Sequence, residues 1–467
     1  MIVVAKQNQP PVIPGQTYTI DIVNMGHSGE GVGRYEDFTV FVPQALPREN
    51  VAVKIITVKK NYAVGKLTAI HSPSPSRIVP ECHIFEQCGG CQLQHLSYPA
   101  QLEIKRQQVL DAVNRIGKLP DVTVHPTIGA ADPWFYRNKM QFPVGSSDGQ
   151  VVVGCYARGT HDIIGTDNCL IQHQANNIIA REVRAAIAEI GISTYNEHTG
   201  QGVVRHVLGR VGTATGEIMV VLVTASETIP RQARLIHRLH DSIPGLVSIV
   251  QNINNKRTNI ILGDKTITLW GQDAITDRLG EFTFEISAGS FFQVNTIQAE
   301  KLYNKAVEYA GLTGCETVID AYCGTGTITL FLARHAGKVY GIEIVESAIL
   351  DARRNAAANN VSNAEFIVGD AVDVMPKMYR QGIRPQVIVV DPPRAGCDCK
   401  VLETFMRMEP QRMVYVSCNP ASLARDLAIL AEGDYVTREI QPVDMFPQTY
   451  HVETIIMMTK CGSEDKK

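Results

Sequence analysis

Short apolar runs recur through the last third of the chain, and each ends on a residue suited to binding or catalysis. The runs at 318–319, 387–390 and 414–416 lead into a glycine turn, Asp391 and Cys418 respectively. Helix-like segments separate the runs from about residue 286 onward, which predicts parallel strands joined by crossover helices. Because parallel sheets place their chemistry at the carboxyl ends of strands, the sequence predicts a doubly wound α/β domain with a functional site at that edge.

Cys418 is the candidate nucleophile at this edge. It follows a predicted strand and precedes a turn with the sequence Asn-Pro. Among protein side chains, a thiol is the strongest nucleophile near neutral pH. A helix predicted to begin at about residue 421 would lower the pKa of this thiol. The alternative is a buried structural thiol, a common state of free cysteines.

Three successive strand ends predict a site for a nucleotide-type cofactor. The first strand ends at Asp320 before a turn with two glycines, which let the backbone approach a ligand closely. The second ends at Glu343, 23 residues later, where a ribose-binding carboxylate belongs. The third ends at Asp370, which suits an adenine amino group. The two-glycine turn favours S-adenosylmethionine (SAM) over NAD, although the same acids are also typical helix caps and solvated loop ends.

Length and composition are those of an ordinary globular chain. Its 467 residues suffice for two or three domains, and 45% apolar with 19% charged residues is typical of a soluble protein. No apolar run reaches the about 18 residues of a membrane span, and the N-terminus is too polar for a signal peptide, so we expect a cytoplasmic protein. A net charge of −3 neither indicates nor excludes nucleic acid, because a local basic stripe suffices for binding.

The rest of the chain forms an N-terminal and a central region. Residues 11 to about 70 contain short alternating strands separated by glycines, which predicts an OB-like barrel of about five strands. A Pro- and Ser-rich linker follows, then a helix at about 99–117 and a mixed region to about 285. We expect domains at 1–70, 71–285 and 286–467, with the helix at 99–117 packing on the last. The lysines expected on the barrel surface are Lys54, Lys59, Lys60 and Lys66.

The eleven cysteines favour metal or catalytic use over disulfides in a cytoplasmic chain. Cys82, Cys88 and Cys91 have the spacing of metal ligands, and Cys169, in a predicted turn, is the candidate fourth ligand. Four thiolates suit either zinc or an iron–sulfur cluster, and the spacing does not distinguish them. The remaining cysteines are interpreted as bystanders that bind no metal. They are Cys155, Cys315, Cys323, Cys397, Cys399 and Cys461.

Several motifs together resemble those of a known enzyme family. The motifs are Gly-Ser-Phe-Phe-Gln-Val-Asn at 289–295, Asp-Pro-Pro-Arg-Ala-Gly at 391–396, Ser-Cys-Asn-Pro at 417–420 and His-Val-Glu at 451–453. They resemble the RNA 5-methyluridine methyltransferases, and in particular the bacterial 23S rRNA (uracil-5-)-methyltransferase type. The N-terminal region resembles the TRAM domain of those enzymes at 29–33 and 40–43, so the resemblance extends over nearly the whole chain.

This resemblance implies a fold and a mechanism. The fold would be α/β, with an N-terminal TRAM (OB-like) β-barrel, a central α+β domain with an Fe–S site and a C-terminal Rossmann-like SAM methyltransferase domain. Cys418 would add to carbon 6 of uracil and make carbon 5 nucleophilic toward the SAM methyl group, after which Glu453 would remove the carbon 5 proton. Asp391 would orient the uracil or the cofactor. The expected SAM-binding residues, with the turn glycines included, are Gln293, Tyr322, Gly324, Gly326, Thr327, Glu343, Asp370 and Asp391.

The resemblance also implies partners. It favours a [4Fe–4S] cluster on Cys82, Cys88, Cys91 and Cys169, in a structural or RNA-docking role because methyl transfer needs no electrons. RNA would be gripped by the barrel lysines and by the segment 135–142, which mixes cations and aromatics. The aromatics Phe291 and Phe292 are candidates to stack on an unpaired or flipped uracil, or else belong to the core. We expect a monomer whose substrate is 23S rRNA. The alternative functions are those of a tRNA uracil-5-methyltransferase and of a non-catalytic Fe–S RNA-binding protein.

Overall fold

The structure, a computed structural model, describes residues 10–462 of the chain. The chain divides into two compact units. The first unit comprises the described part of Met1–Glu86 together with Gly90–Gln108 and Gln448–Tyr450. The second comprises Gln87–Gly89, Val109–Pro447 and the described part of His451–Lys467.

The first unit contains a closed five-stranded barrel with the strand order β1-β2-β3-β5-β4. Its strands are β1 (Thr17–Met25), β2 (Gly31–Tyr35), β3 (Phe38–Val42), β4 (Asn50–Val58) and β5 (Tyr62–Ser72). Buried and exposed residues alternate along β1 and β4, and the inward set fills the barrel. A glycine is required at Gly33, because a Cβ there would lie 2.4 Å from Cγ2 of Ile20. The predicted OB-like barrel is confirmed.

Helix α1 (Tyr98–Arg115) lies close to its predicted bounds and contributes residues to both units. Within the second unit, Val109 and Val113 are buried in one hydrophobic cluster with Leu423 and Leu427 of the C-terminal region. The second unit next contains the short strand β6 (Thr123–Val124).

A seven-stranded mixed sheet occupies the central part of the second unit, in the order β13-β12-β11-β10-β7-β8-β9. Its strands are β7 (Lys139–Ser147), β8 (Gln150–Tyr156), β9 (Ile163–Gly165), β10 (Val204–Val211), β11 (Ile218–Thr224), β12 (Leu246–Ile253) and β13 (Lys265–Gly271). Helices α2 (Gln174–Ile190) and α3 (Gln232–Ser242) bury their apolar residues in one cluster with the strands of this sheet. The hairpin of β14 (Ala274–Leu279) and β15 (Phe282–Ser287) leads to the C-terminal part.

Helices and strands then alternate as far as the last described helix, and two strands follow to the end of the described residues. The helices are α4 (Thr296–Ala310), α5 (Thr327–Ala333), α6 (Glu346–Ala358), α7 (Ala371–Arg380), α8 (Cys399–Met408) and α9 (Pro420–Glu432). The strands are β16 (Thr317–Ala321), β17 (Lys338–Glu343), β18 (Ala364–Val368), β19 (Val387–Val390), β20 (Arg412–Ser417), β21 (Tyr435–Val443) and β22 (Glu453–Lys460). They form a sheet in the order β18-β17-β16-β19-β20-β22-β21-β6.

The order of this sheet places a ligand site between β16 and β19. Strands β16 to β20 are parallel, and the chain runs outward from β16 in one direction through β17 and in the other through β19. Such a reversal opens a crevice at the carboxyl ends of the strands. Strands β22 and β21 then add antiparallel pairings, β22 beside β20. The predicted doubly wound α/β fold is confirmed. In the part of the chain that the structure describes, no helix is long and apolar enough to cross a membrane.

Candidate active site

The β20–β22 register brings the predicted nucleophile and base to the same end of the sheet. Ser417 pairs with Thr454 across the two antiparallel strands. Cys418 directly follows Ser417, and Glu453 directly precedes Thr454, so both residues lie at this end of the ladder. Both line a cleft of about 1600 Å³ within the second unit. The sequence distance of 35 residues between them is therefore closed by a single strand pairing.

The electrostatic environment of the two residues opposes ionisation. Burial raises the pKa of the Cys418 thiol to about 11, and the charges of Glu453 and Asp391 act in the same direction. Burial also raises the pKa of Glu453 well above its usual range, with a further contribution from Asp391. Arg394 lowers the pKa of both groups. The expectation that the pKa of the Cys418 thiol is lowered is therefore wrong for the protein without RNA.

Helix α9 does begin beside Cys418, as predicted. Asn419 is its N-cap, and the Asn419 side chain accepts a hydrogen bond from the amide of Ala421 at 3.0 Å. An N-terminal helix dipole stabilises a nearby thiolate, but its effect is modest and local. Desolvation is the larger effect on Cys418, since a buried thiolate loses its hydration.

The loop after β19 presents Asp391 and Arg394 to the cleft. Burial raises the pKa of Asp391 to about 7. The backbone oxygen of Arg394 accepts hydrogen bonds from Nδ2 of Asn419 at 2.9 Å and from Oγ of Ser422 at 3.0 Å. The loop is thereby joined to the start of α9, the helix that follows Cys418. The sequence analysis assigned no role to Arg394 beyond its place in a motif.

A buried carboxylate anchors the far end of this loop. Oδ2 of Asp426 accepts hydrogen bonds from the amide of Cys397 at 2.8 Å and from the hydroxyl of Tyr415 at 2.6 Å. Arg425 pairs with Asp426 at 2.6 Å and donates to the backbone oxygen of Ala395 at 3.0 Å. The sequence analysis missed Asp426, because a single acid on a helix face gives no signal of such a contact.

Most of the predicted SAM-binding residues line the same cleft. They are Gln293, Tyr322, Gly324, Thr327, Glu343, Asp370 and Asp391. The turn that follows β16 has left-handed backbone at Tyr322 (φ 67°), Gly324 (φ 55°) and Gly326 (φ 81°). Gly326 itself is the N-cap of α5, where a Cβ would lie 3.0 Å from the Phe366 ring. Its contribution is therefore to the shape of the turn.

The acidic strand ends both face the cleft and support local structure. Glu343 accepts hydrogen bonds from the amide of Gly324 at 3.2 Å and from the amide of Val345 at 2.9 Å. Asp370 is the N-cap of α7 and accepts from the amide of Val372 at 3.0 Å. The alternative interpretation as helix caps thus holds for Asp370, although it also lines the cleft. Asp320 is fully buried and accepts from Thr329 at 2.5 Å, which makes it a structural carboxyl of the turn.

The two candidate stacking aromatics have opposite environments. Phe291 is 66% exposed and lines the cleft. Phe292 is 5% exposed and packs against Phe284, with ring centroids 5.7 Å apart. Only Phe291 is available to stack on a base, and Phe292 belongs to the core.

The cations of the 135–142 segment also reach this cleft. Arg137 lines it, and so do Lys139 and Gln141 of β7. Burial lowers the pKa of Lys139 to about 7, with contributions from the charges of Arg210 and Arg137. Arg210 is buried and donates to the backbone oxygens of Ala288 at 3.1 Å and Ser290 at 2.5 Å. It therefore holds the chain that leads to Phe291.

The predicted metal ligands fall into both units. Cys82 and Cys91 belong to the first unit, whereas Cys88 and Cys169 belong to the second. Among residues 10–462, no group of three or more His, Cys, Asp or Glu side chains is arranged to hold a metal ion. The structure therefore does not show the predicted Fe–S site.

Cys155, on β8, is influenced electrostatically by two of these predicted ligands, Cys169 and Cys88. Cys155 is interpreted as a bystander because no other cysteine lies at ligand spacing from it along the sequence, and that interpretation stays a prediction. The two sulfurs and burial raise the pKa of Cys155 well above its usual range. Cys155, together with the amides of Ile171 and Gln172, lowers the pKa of Cys169 against the effect of burial.

Comparisons with known proteins agree with this geometry. A family model described as tRNA (Uracil-5-)-methyltransferase matches residues 211–461, and a TRAM domain model matches residues 11–68. An "uncharacterized RNA methyltransferase" of Halalkalibacterium halodurans is 51% identical, over 97% of this chain and 99% of its own. One of Clostridium acetobutylicum is 50% identical, over 96% of this chain and 98% of its own.

A solved structure extends the similarity to the fold. It is the tRNA (uracil-54, C5)-methyltransferase of Pyrococcus abyssi in complex with S-adenosyl-L-homocysteine. That protein is 29% identical, with a TM-score of 0.78 over 95% of this chain and 100% of its own.

The fold and the cleft define a SAM-dependent methyltransferase with an N-terminal TRAM domain. The chain belongs to the tRNA (uracil-5-)-methyltransferase family, so its substrate is RNA and its target atom is carbon 5 of uracil. The resemblance to RNA 5-methyluridine methyltransferases is thereby confirmed.

Proposed function

We propose that this enzyme methylates carbon 5 of a uridine in 23S rRNA through a covalent intermediate between Cys418 and uracil. The observation that carries the proposal is the β20–β22 register, which brings Cys418 and Glu453 into one cleft with the turn after β16. The turn, Glu343 and Asp370 would hold SAM, which supplies an electrophilic methyl group when bound. The glycine turn and the acidic strand ends fit such a nucleoside cofactor.

The residues act in a defined order. The Cys418 sulfur adds to carbon 6 of uracil, and the displaced electron pair makes carbon 5 nucleophilic. Once carbon 5 carries the methyl group, Glu453 removes its remaining proton. The electron pair of that bond then expels the Cys418 thiolate and restores the carbon 5–carbon 6 double bond. Because burial raises the pKa of Glu453, its carboxylate is a stronger base than an exposed glutamate.

Arg394 supports the first step. Its positive charge lowers the pKa of Cys418 against burial and against two nearby carboxylates. Asp391, at the same strand end, would orient the uracil or the cofactor. Phe291, 66% exposed at the cleft, would stack on the flipped base.

The covalent step is tested with RNA that contains 5-fluorouridine, since fluorine on carbon 5 is not removed as a proton. We expect the wild-type enzyme and SAM to give an RNA adduct that survives denaturing electrophoresis. With ordinary RNA, Glu453→Gln should accumulate the corresponding adduct, with hydrogen on carbon 5, and slow turnover by about 10²- to 10⁴-fold, because proton removal is blocked. Rapid turnover by Glu453→Gln would show that Glu453 is not the base. Absence of any adduct would contradict the covalent mechanism.

The choice of 23S rRNA rests on sequence resemblance. A tRNA substrate is the second candidate, because the solved relative from Pyrococcus abyssi is a tRNA (uracil-54, C5)-methyltransferase. RNA from cells lacking the gene, treated with enzyme and SAM and then separated into size classes, distinguishes them by mass spectrometry of 5-methyluridine. A gain of 5-methyluridine in 23S rRNA alone supports the proposal. A gain in tRNA would show that tRNA is the substrate instead.

A [4Fe–4S] cluster on Cys82, Cys88, Cys91 and Cys169 belongs to the same proposal, in a structural or RNA-docking role. In its favour are the ligand spacing and the two amides that contact the Cys169 sulfur, which is the usual environment of a ligating thiolate. Iron and acid-labile sulfide in anaerobically purified protein would support the cluster. Stoichiometric zinc without iron would show that these cysteines bind zinc instead of a cluster.

The remaining assignments are also proposals. We propose three domains at 1–70, 71–285 and 286–467, a monomeric enzyme and a cytoplasmic location. The lysines of the TRAM barrel and the pair Arg137 and Lys139 would bind phosphates of the RNA, so binding should weaken with salt.

A further inference from the structure

A buried carboxylate on α9 connects three elements that border the cleft. Asp426 is fully buried. Its Oδ2 accepts hydrogen bonds from the amide of Cys397 at 2.8 Å and from the hydroxyl of Tyr415 at 2.6 Å. Its Oδ1 accepts from Nε of Arg425 at 2.8 Å and from Nη2 of the same side chain at 2.6 Å. One carboxylate thereby joins α9, the strand β20 and the β19–α8 loop, which comprises residues 391–398.

The β19–α8 loop carries two of the three charged groups that act on Cys418. Asp391 and Arg394 belong to this loop, and the third group is Glu453 of β22. Arg394 is exposed, so the position of its charge depends on where its backbone is held and not on packing around its side chain. Its backbone oxygen accepts a hydrogen bond from Nδ2 of Asn419 at 2.9 Å. The backbone of Arg394 is therefore tied directly to the residue that follows Cys418.

The loop approaches α9 closely enough to require glycine at one position. Gly396 has a left-handed backbone, with φ 83°. A Cβ at this position would lie 2.6 Å from Oδ2 of Asp426 and 2.6 Å from Nη2 of Arg425. Nη2 of Arg425 also donates to the backbone oxygens of Ala395 at 3.0 Å and Cys397 at 3.3 Å. The ion pair between Asp426 and Arg425 therefore contacts three successive residues of the loop.

Stability alone is a weak reason for the burial of this carboxylate. A buried carboxylate loses its hydration, and the attraction to a cation offsets only part of that cost, so apolar residues often replace a buried ion pair without loss of stability. Such a pair can instead specify one arrangement of the elements that it joins. Here the joined elements are the loop that carries Arg394 and the strand that leads to Cys418.

We propose that Asp426 is a positioning residue for methyl transfer, which holds the β19–α8 loop against α9 and so keeps the charge of Arg394 beside Cys418. This inference rests on the proposed function, because it requires Cys418 to act as the nucleophile. Asp426 does not line the cleft, so it acts through another residue. Arg394 is that residue, since its charge favours the Cys418 thiolate against burial and against the charges of Asp391 and Glu453.

The test measures how fast iodoacetamide alkylates Cys418 in the full-length protein, at one pH and without RNA. Mass spectrometry of the tryptic peptide that contains Cys418 gives the rate for this thiol alone. Arg394→Gln removes the positive charge, and Asp426→Asn removes the carboxylate that pairs with Arg425 at nearly constant size. Each variant should slow alkylation by about 3- to 10-fold, because a tenfold change in thiolate fraction corresponds to one pKa unit.

A double variant separates positioning from an independent effect. In Asp426→Asn combined with Arg394→Gln, the alkylation rate should equal that of Arg394→Gln alone, because Asp426 acts through the charge that is already lost. The matched control is Glu432→Gln, an exposed acid at the end of α9, which should leave the rate unchanged. Adduct formation with 5-fluorouridine RNA should slow in Asp426→Asn by about the same factor as alkylation.

A merely structural Asp426 would lower the free energy of unfolding without changing the alkylation rate of the folded protein. An unchanged or faster rate in Asp426→Asn, or additive effects in the double variant, would overturn the inference. If Asp426→Asn does not fold, Arg425→Gln decides with the same expected direction, because it removes the contacts with the loop from an exposed position. Absence of the RNA adduct in the wild type would contradict the covalent mechanism, whereas the alkylation rates test Asp426 without RNA.

Discussion

The cleft that contains Cys418 and Glu453 differs from the cysteine region, which consists of Cys88, Cys155 and Cys169, in how its residues are brought together. In the cleft, Cys418 and Glu453 lie at the ends of two paired strands, and one register places them. In the cysteine region the partners come from loops and a short bridge, and the sulfurs that interact electrostatically include that of Cys155, which the motif spacing did not indicate. Strand register follows from the apolar pattern, whereas loop contacts depend on the completed fold. Motif spacing is therefore a safer guide where a sheet carries the site.

The largest expected effect tests the cleft directly. Cys418→Ala should lower methyl transfer by roughly 10⁴-fold or more, because carbon 5 is not activated without the thiol. SAM affinity, measured by calorimetry, should stay within twofold of wild type. The matched control is Cys315→Ala, an exposed cysteine that does not line the cleft. An active Cys418→Ala enzyme would show that the β20–β22 register does not carry the chemistry.

The second prediction concerns the ionisation of the same thiol. With the Cys418 pKa raised to about 11, the thiolate fraction rises about tenfold per pH unit. Alkylation of Cys418 by iodoacetamide in the free enzyme should therefore accelerate by roughly 100-fold from pH 7 to pH 9. Arg394→Gln should slow it further at each pH, since the opposing positive charge is lost. A rate that is already constant above pH 7 would mean that the helix and Arg394 outweigh burial.

The third prediction, with a smaller expected effect, distinguishes the adjacent aromatic residues Phe291 and Phe292. Phe292→Ala should lower the free energy of unfolding by about 3–5 kcal/mol, because it empties a core position. Phe291→Ala should change that free energy by less than about 0.5 kcal/mol. It should instead raise the KM for RNA about tenfold through lost stacking. Denaturant titration and steady-state kinetics measure the two quantities, and equal destabilisation by both variants would contradict the difference in exposure.

The smallest expected effect on methylation concerns the cysteine region. Cys169→Ser should lose the proposed cluster, whereas Cys155→Ser should retain it, because only Cys169 is a proposed ligand. Iron per chain in anaerobically purified protein gives the measurement. Loss of iron from both variants would place Cys155 among the ligands and correct the predicted set.

Much of the fold was predictable because its signals are local. The barrel strands and the doubly wound order follow from alternation and from apolar runs separated by helices. Asp370 shows the limit, since one sequence position serves both as helix cap and as a lining residue of the cleft. Phe291 and Phe292 show it again, because neighbours of identical chemistry differ only in the direction in which the backbone points them.

The sequence by itself determined the order of the elements and the glycine turn, and it supplied the candidate nucleophile and base, because residue type and strand pattern act locally. The tertiary structure decided how those residues behave. Burial raises the Cys418 pKa although a helix starts beside it, and the fold brings Cys155 within electrostatic range of Cys169. Asp426 holds the loop that follows β19 from a helix that carries no motif for this role. Desolvation and contacts between distant segments exist only once the chain has packed, so spacing along the sequence does not reveal them.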